Sequence, residues 1–108
     1  MSLHAYNRSG DLFIGVPINI LSYTLLLYII ACKVDMKPKT VTISMGDSHI
    51  YNTHIEQCKE MLSRRTLSPA IVELDPLIKT LDWNDITVDN FSLIGYAPRA
   101  AIKSVMAI

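Results

Sequence analysis

The order of apolar and polar residues changes rhythm several times along the chain. Leu3 and Ala5 fall on one side of the opening residues, with His4 and Tyr6 on the other, which predicts a strand over 2–6. Asp11 to Gly15 continues extended, with Gly10 available for a bulge or turn. The period then changes. Ile18, Leu21, Leu25 and Ile29 lie near one stripe, and Ile20, Leu27 and Ala31 widen it, so the spacing predicts a helix over about 17–33 that is apolar on several sides. Pro17 suits its first turn, where a missing N–H costs nothing. Strict alternation returns over 40–45, with Val41, Ile43 and Met45 opposite Thr40, Thr42 and Ser44, the mark of a half-buried strand. Gly46-Asp47 breaks it.

Thr53-His54-Ile55-Glu56 has the capping-box pattern. Ile55, Cys58, Met61 and Leu62 form a stripe behind it, predicting a second helix over about 53–65 that ends in Arg64 and Arg65 at the negative pole of its dipole. Strands are expected at 70–74 and 91–94, with 77–83 either a short helix or a strand. Gly95-Tyr96-Ala97-Pro98 turns the chain, and the apolar tail 102–108 is expected to dock. Together these elements predict an α+β fold. A mixed, largely antiparallel sheet packs against the long buried helix, with the second helix beside it.

Length and composition narrow the picture. A chain of 108 residues is expected to form a single domain over 1–108. Its hydrophobic share of 50% is high for a small domain, so a partner surface is expected to cover part of it. Ten basic residues balance ten acidic ones, and only Arg64 and Arg65 adjoin. No basic stripe favours a nucleic acid polymer or an anionic membrane. The run from Val16 to Cys32 approaches a membrane span in length, but it contains Pro17, Asn19, Ser22 and Thr24 and reads as the central helix of a soluble fold. The mixed, polar opening residues do not resemble a signal peptide. Cys32 and Cys58 set no disulfide framework, and a cytoplasmic setting is expected. His49 and His54 lack a flanking ligand pattern, so no metal is expected.

Candidate chemistry gathers in Arg8-Ser9-Gly10-Asp11 and in Gly15-Val16-Pro17-Ile18-Asn19. The planar fork of Arg8 suits a phosphate, and the Ser9 hydroxyl adds a donor. The Asn19 amide offers one acceptor and two donors to a base edge. His49 and Tyr51, spaced by two, point the same way on an extended segment and can hold one hydroxyl-rich group. Each feature also has a plain structural explanation: a surface turn, a helix cap, a polar loop rim.

Arg8-Ser9-Gly10-Asp11, Gly15-Val16-Pro17-Ile18-Asn19-Ile20, Ser22-Tyr23, Gly46-Asp47-Ser48-His49-Ile50-Tyr51 and Gly95-Tyr96-Ala97-Pro98, in that order, resemble the C-terminal portion of the thymidylate synthase family. The likeness runs from about Leu3 to Ile108. It implies that Arg8 and Ser9 hold the 5′-phosphate of dUMP, that Asn19 reads the pyrimidine edge, and that His49 and Tyr51 take the sugar. Asp11 would meet the base through its backbone N–H and a folate through its carboxylate. Gly15 would let the pterin approach, and the tail ending in Ile108 would close over the ligands.

The resemblance further implies reductive methylation of dUMP with 5,10-methylenetetrahydrofolate, and a homodimer. The family's nucleophilic cysteine lies in a Pro-Cys-His segment upstream of the Arg-Ser motif, outside these residues. The chain is therefore expected to supply no catalytic residue and not to be active alone, with a homodimer or a complementary N-terminal chain as its assembly. The alternatives are a catalytically dead binding or oligomerisation module and part of a dUMP hydroxymethylase. The related deoxycytidylate hydroxymethylases tend to carry Asp where this chain has Asn19. Other departures are Asn7 for the family's usual Gln, Leu21 for a small residue, Thr66 for an acid after Arg65, and Arg99-Ala100 for His-Pro.

Overall fold

A computed structural model describes residues 1–106. Its larger unit is strand β1 (Ser2–Asp11), helix α1 (Gly15–Lys33) and strand β2 (Thr40–His49). The two strands pair in parallel, from Ser2 opposite Thr40 to Asp11 opposite His49. The expectation of a largely antiparallel sheet is corrected here, since the longer pairing is the parallel one. The physical reason is the connection. A long helix returns the chain to the starting edge, whereas a tight hairpin would reverse it.

Helix α1 closes with a pair of bonds in which the Met36 N–H donates to the Ala31 carbonyl at 2.8 Å and the Asp35 N–H to the Cys32 carbonyl at 3.3 Å. This is the Schellman arrangement, and Asp35 takes its left-handed position at φ 58°, where glycine is usual. Lys79 donates to Asp35 at 2.9 Å. That bond and the attraction of the ammonium hold the Asp35 carboxyl below its ordinary value, and Asp35 in turn raises Lys79. The pair's contribution fades as pH falls through the lowered Asp35 value and again as it rises through the raised Lys79 value. Both side chains are largely in solvent, so that contribution is small. Asp35→Gly is therefore expected to raise the melting temperature slightly at pH 7, since relief of backbone strain outweighs the lost pair. The advantage should widen in acid, where the wild type loses the pair as well. Thermal denaturation at both pH values checks this.

The expectation that α1 is a long buried helix is not met within this chain. Val16, Leu27 and Ala31 are buried, but Ile18 is 59% exposed and Leu21 54%. By length and composition α1 could cross a membrane, and only 17% of its apolar window is buried.

The second unit pairs β3 (Ile71–Leu74) with β4 (Phe91–Ile94), antiparallel, Ile71 opposite Ile94. Between them the Asp75 carboxylate accepts from the Leu77 N–H at 2.9 Å and starts a 3-10 turn, Pro76–Lys79, that packs on α1. A reciprocal cap between Thr87 and Asn90 leads into β4, and Gly95 at φ 73° turns the chain out of it. An apolar cleft of about 380 Å³ separates Leu21 and Leu25 of α1 from Val72, Phe91 and Leu93 of the strand pair.

The second helix is shorter than expected. A 3-10 turn, Asn52–His54, precedes α2 (Ile55–Ser63), and no side chain caps either start. The His54 N–H instead donates to the Tyr51 carbonyl at 2.8 Å, so the tighter turn leaves the Thr53 capping box unformed. The whole is loosely gathered. Its radius of gyration is 16.2 Å, against about 13 Å for a compact domain of this length. Its accessible surface is 8228 Å², against roughly 6,000 Å² for a folded monomer of this mass.

Candidate functional site

The parallel register brings two of the candidate segments to one place. Asp11 ends β1 directly opposite His49, which ends β2. The Leu12 N–H then donates to the His49 carbonyl at 2.9 Å, locking the two strand ends together. The Asp11 carboxylate accepts from the Phe13 N–H at 3.0 Å and forms the turn that feeds α1. Ends of parallel strands beside a helix start are where such folds commonly place ligands.

Burial alternates along β1 until Ser9, where it slips. Gly10 faces inward in place of Ser9. A Cβ at Gly10 would lie 2.7 Å from Met45 Sδ and 2.8 Å from Val16 Cγ2, so only glycine fits without displacement. As a result Arg8 and Ser9 are both exposed. Among the described residues Arg8 joins no ion pair.

Beyond His49 the chain remains extended through Tyr51. The two rings meet edge to face, with centroids 5.1 Å apart. His49 Nδ1 lies 3.4 Å from the Asp47 carboxylate without hydrogen-bond geometry. Tyr51 also packs on His54 at 5.8 Å, and His54 on Phe13 at 5.2 Å. These rings form a continuous floor from the turn after β1 to the start of α2.

Asn19 is half-buried, one turn into α1. Its face follows from Tyr23, four residues on, whose hydroxyl donates to the Asn7 Oδ1 of β1 at 2.9 Å. Asn19 therefore lies on the side of α1 turned toward β1. Gly15 opens α1 with an ordinary backbone, and a Cβ there would touch only the Asp11 Cβ at 3.5 Å. Nothing among the described residues demands a glycine at 15. Ile108 lies outside the described residues. Among those residues, no three His, Cys, Asp or Glu side chains gather as a metal site.

The family model for thymidylate synthase matches residues 1–108. The chain belongs to the thymidylate synthase family. It is 42% identical to the thymidylate synthase of Phytoplasma mali (strain AT) over all 108 residues, which cover 37% of that protein. It is 40% identical over 108 residues to that of Leuconostoc mesenteroides subsp. mesenteroides, covering 33% of it. Against the thymidylate synthase of Mycoplasma genitalium the identity is 44% over 98 residues, 89% of this chain and 32% of the relative. The chain thus spans about a third of the length of these curated relatives.

His54 is the residue of this region that sequence reasoning missed. It is fully buried, and its Nε2 lies 2.8 Å from the Val105 carbonyl. The capping pattern assigned its neighbours to a helix start and left it no role. Its spacing of three from Tyr51 in a turn was the available signal.

Proposed function

We propose that this chain forms the nucleotide face of a thymidylate-synthase-like enzyme whose reaction converts dUMP to dTMP. The observation that carries the reading is the meeting of Asp11 with His49 and Tyr51 at one strand end, beside the exposed Arg8-Ser9 pair. Arg8 and Ser9 hold the phosphate through charge-assisted and hydroxyl bonds. Asn19 reads the uracil edge from the β1 side of α1. His49 and Tyr51 hold the sugar hydroxyl.

The Asp11 carboxylate and the adjacent Gly15 take the folate ring, and the tail ending in Ile108 closes over the ligands. When bound, 5,10-methylenetetrahydrofolate supplies the one-carbon unit. The nucleophile comes from a complementary segment, either an N-terminal chain or the remainder of a longer one. That segment and a homodimer partner together cover α1, which makes α1 a core helix of a cytoplasmic enzyme and not a membrane span.

Calorimetric titration with dUMP, dCMP and inorganic phosphate tests the reading. Binding selective for dUMP is expected. Equal affinity for dUMP and dCMP would remove the role given to Asn19, and no binding by the folded chain would remove the site.

A second reading, an oligomerisation module without catalysis, draws on the accessible surface of 8228 Å², some 2,000 Å² above a compact monomer. That surplus exceeds one partner's share of a standard interface. A stable homo-oligomer that binds no nucleotide would favour it.

A further inference from the structure

The C-terminal segment is tied along α2. Near the end of that helix, Arg64 Nη1 donates to the Ala100 carbonyl at 2.6 Å. Arg99 returns the contact, donating from Nε and Nη2 to the Arg65 carbonyl at 3.2 and 3.1 Å. Near the start of the helix, His54 Nε2 meets the Val105 carbonyl. The segment therefore runs antiparallel to α2, with residue 100 beside one end and residue 105 beside the other. The lengths agree. Residues 54 to 64 rise about 15 Å as helix, and residues 100 to 105 span about 16 Å when extended.

His54 is the informative anchor. A carbonyl oxygen can only accept, so Nε2 carries the proton and Nδ1 is left as an acceptor. That Nδ1 is buried and has no partner among the described residues. An unpartnered buried nitrogen is costly, and an apolar ring would pack against Phe13 and Tyr51 without it. Packing alone does not account for a histidine here, whereas a directed bond to the segment does.

We propose that α2 is a cradle for the C-terminal segment and that His54 is a positioning residue, holding residue 105 beside the Tyr51–His49 ring pair. The functional weight of that position rests on the reading of His49 and Tyr51 as part of the nucleotide site. The bond itself does not.

Limited proteolysis of the full chain without nucleotide tests the proposal, because the segment is held through its carbonyls and cleavage reports how often it is released. His54→Phe keeps a ring and removes the donor, whereas His54→Gln keeps an amide donor near the position of Nε2. Protection of residues 100–106 from cleavage is expected to fall about five- to tenfold in His54→Phe, the loss of one neutral hydrogen bond. Protection of β1 should stay unchanged, and His54→Gln should restore most of the loss. Unchanged protection of the segment in His54→Phe overturns the proposal. An equal fall in β1 and the segment in both variants also overturns it, since that pattern marks a purely structural residue.

Ring nitrogen shifts of the wild-type His54 give a readout independent of variant folding. A proton on Nε2 is expected, and the Nδ1–H tautomer would overturn the assignment. Because no nucleotide is present, failure of dUMP binding would leave these results standing.

Discussion

Ile78→Ala is expected to lower the unfolding free energy by about 2–5 kcal/mol, the range for truncating a buried isoleucine. Ile78 is fully buried, in the turn Pro76–Lys79 that packs on α1. Few apolar side chains share that depth: among the described residues only Val16, Leu27 and Ala31 join it. The turn is also one of the ties between α1 and the second unit, the Lys33 ammonium donating to the Leu81 carbonyl nearby. A domain's total stability is about 5–15 kcal/mol, so the loss is a large fraction of it. Ile78→Val should cost only about 0.5–1.5 kcal/mol. Urea denaturation of both variants checks the pair. A loss below about 1 kcal/mol for Ile78→Ala would mean that the turn does not pack as described.

Arg8→Ala is expected to weaken dUMP binding by about 10- to 100-fold, the loss of charge-assisted bonds worth about 1.5–3 kcal/mol. The side chain is exposed and joins no ion pair among the described residues, so the melting temperature should not move. Arg8→Lys should fall between, because it keeps the charge and loses the planar fork. Titration at low and moderate salt measures all three. Equal affinity of Arg8→Ala and wild type would remove the phosphate role and, with it, most of the argument for a nucleotide at this strand end.

The elements were legible where periodicity is strong. Val41, Ile43 and Met45 marked β2, the wide apolar stripe from Ile18 to Ala31 marked α1, and Phe91 with Leu93 marked β4. Strand direction was less accessible, because alternation reports a face and carries no sense of direction. The helix between β1 and β2 held that information, since such a crossover joins parallel strands. Burial of α1 was overestimated for a related reason. An apolar helix records that it needs cover, not which chain provides it. Ile78 and His54 escaped notice because each lies in a 3-10 turn too short to show a period. The candidate site was legible mainly through the ordered motifs of the family. Spacing placed His49 and Tyr51 together, but the parallel register that sets Asp11 opposite His49 had no local signature.

The two ends of the C-terminal tether make α2 a ruler. One extended residue advances about 3.3 Å, and one helical residue about 1.5 Å. Deleting a single residue between Ala100 and Val105 would therefore shift the tail's reach by roughly two helix positions, carrying residue 105 away from His54. Compensation would require shortening α2 by about two residues, which rotates its face by roughly 200° and turns the apolar stripe outward. Length in one segment is thus locked to length in the other, and insertions or deletions should be tolerated far less between residues 100 and 105 than in the loop before β3.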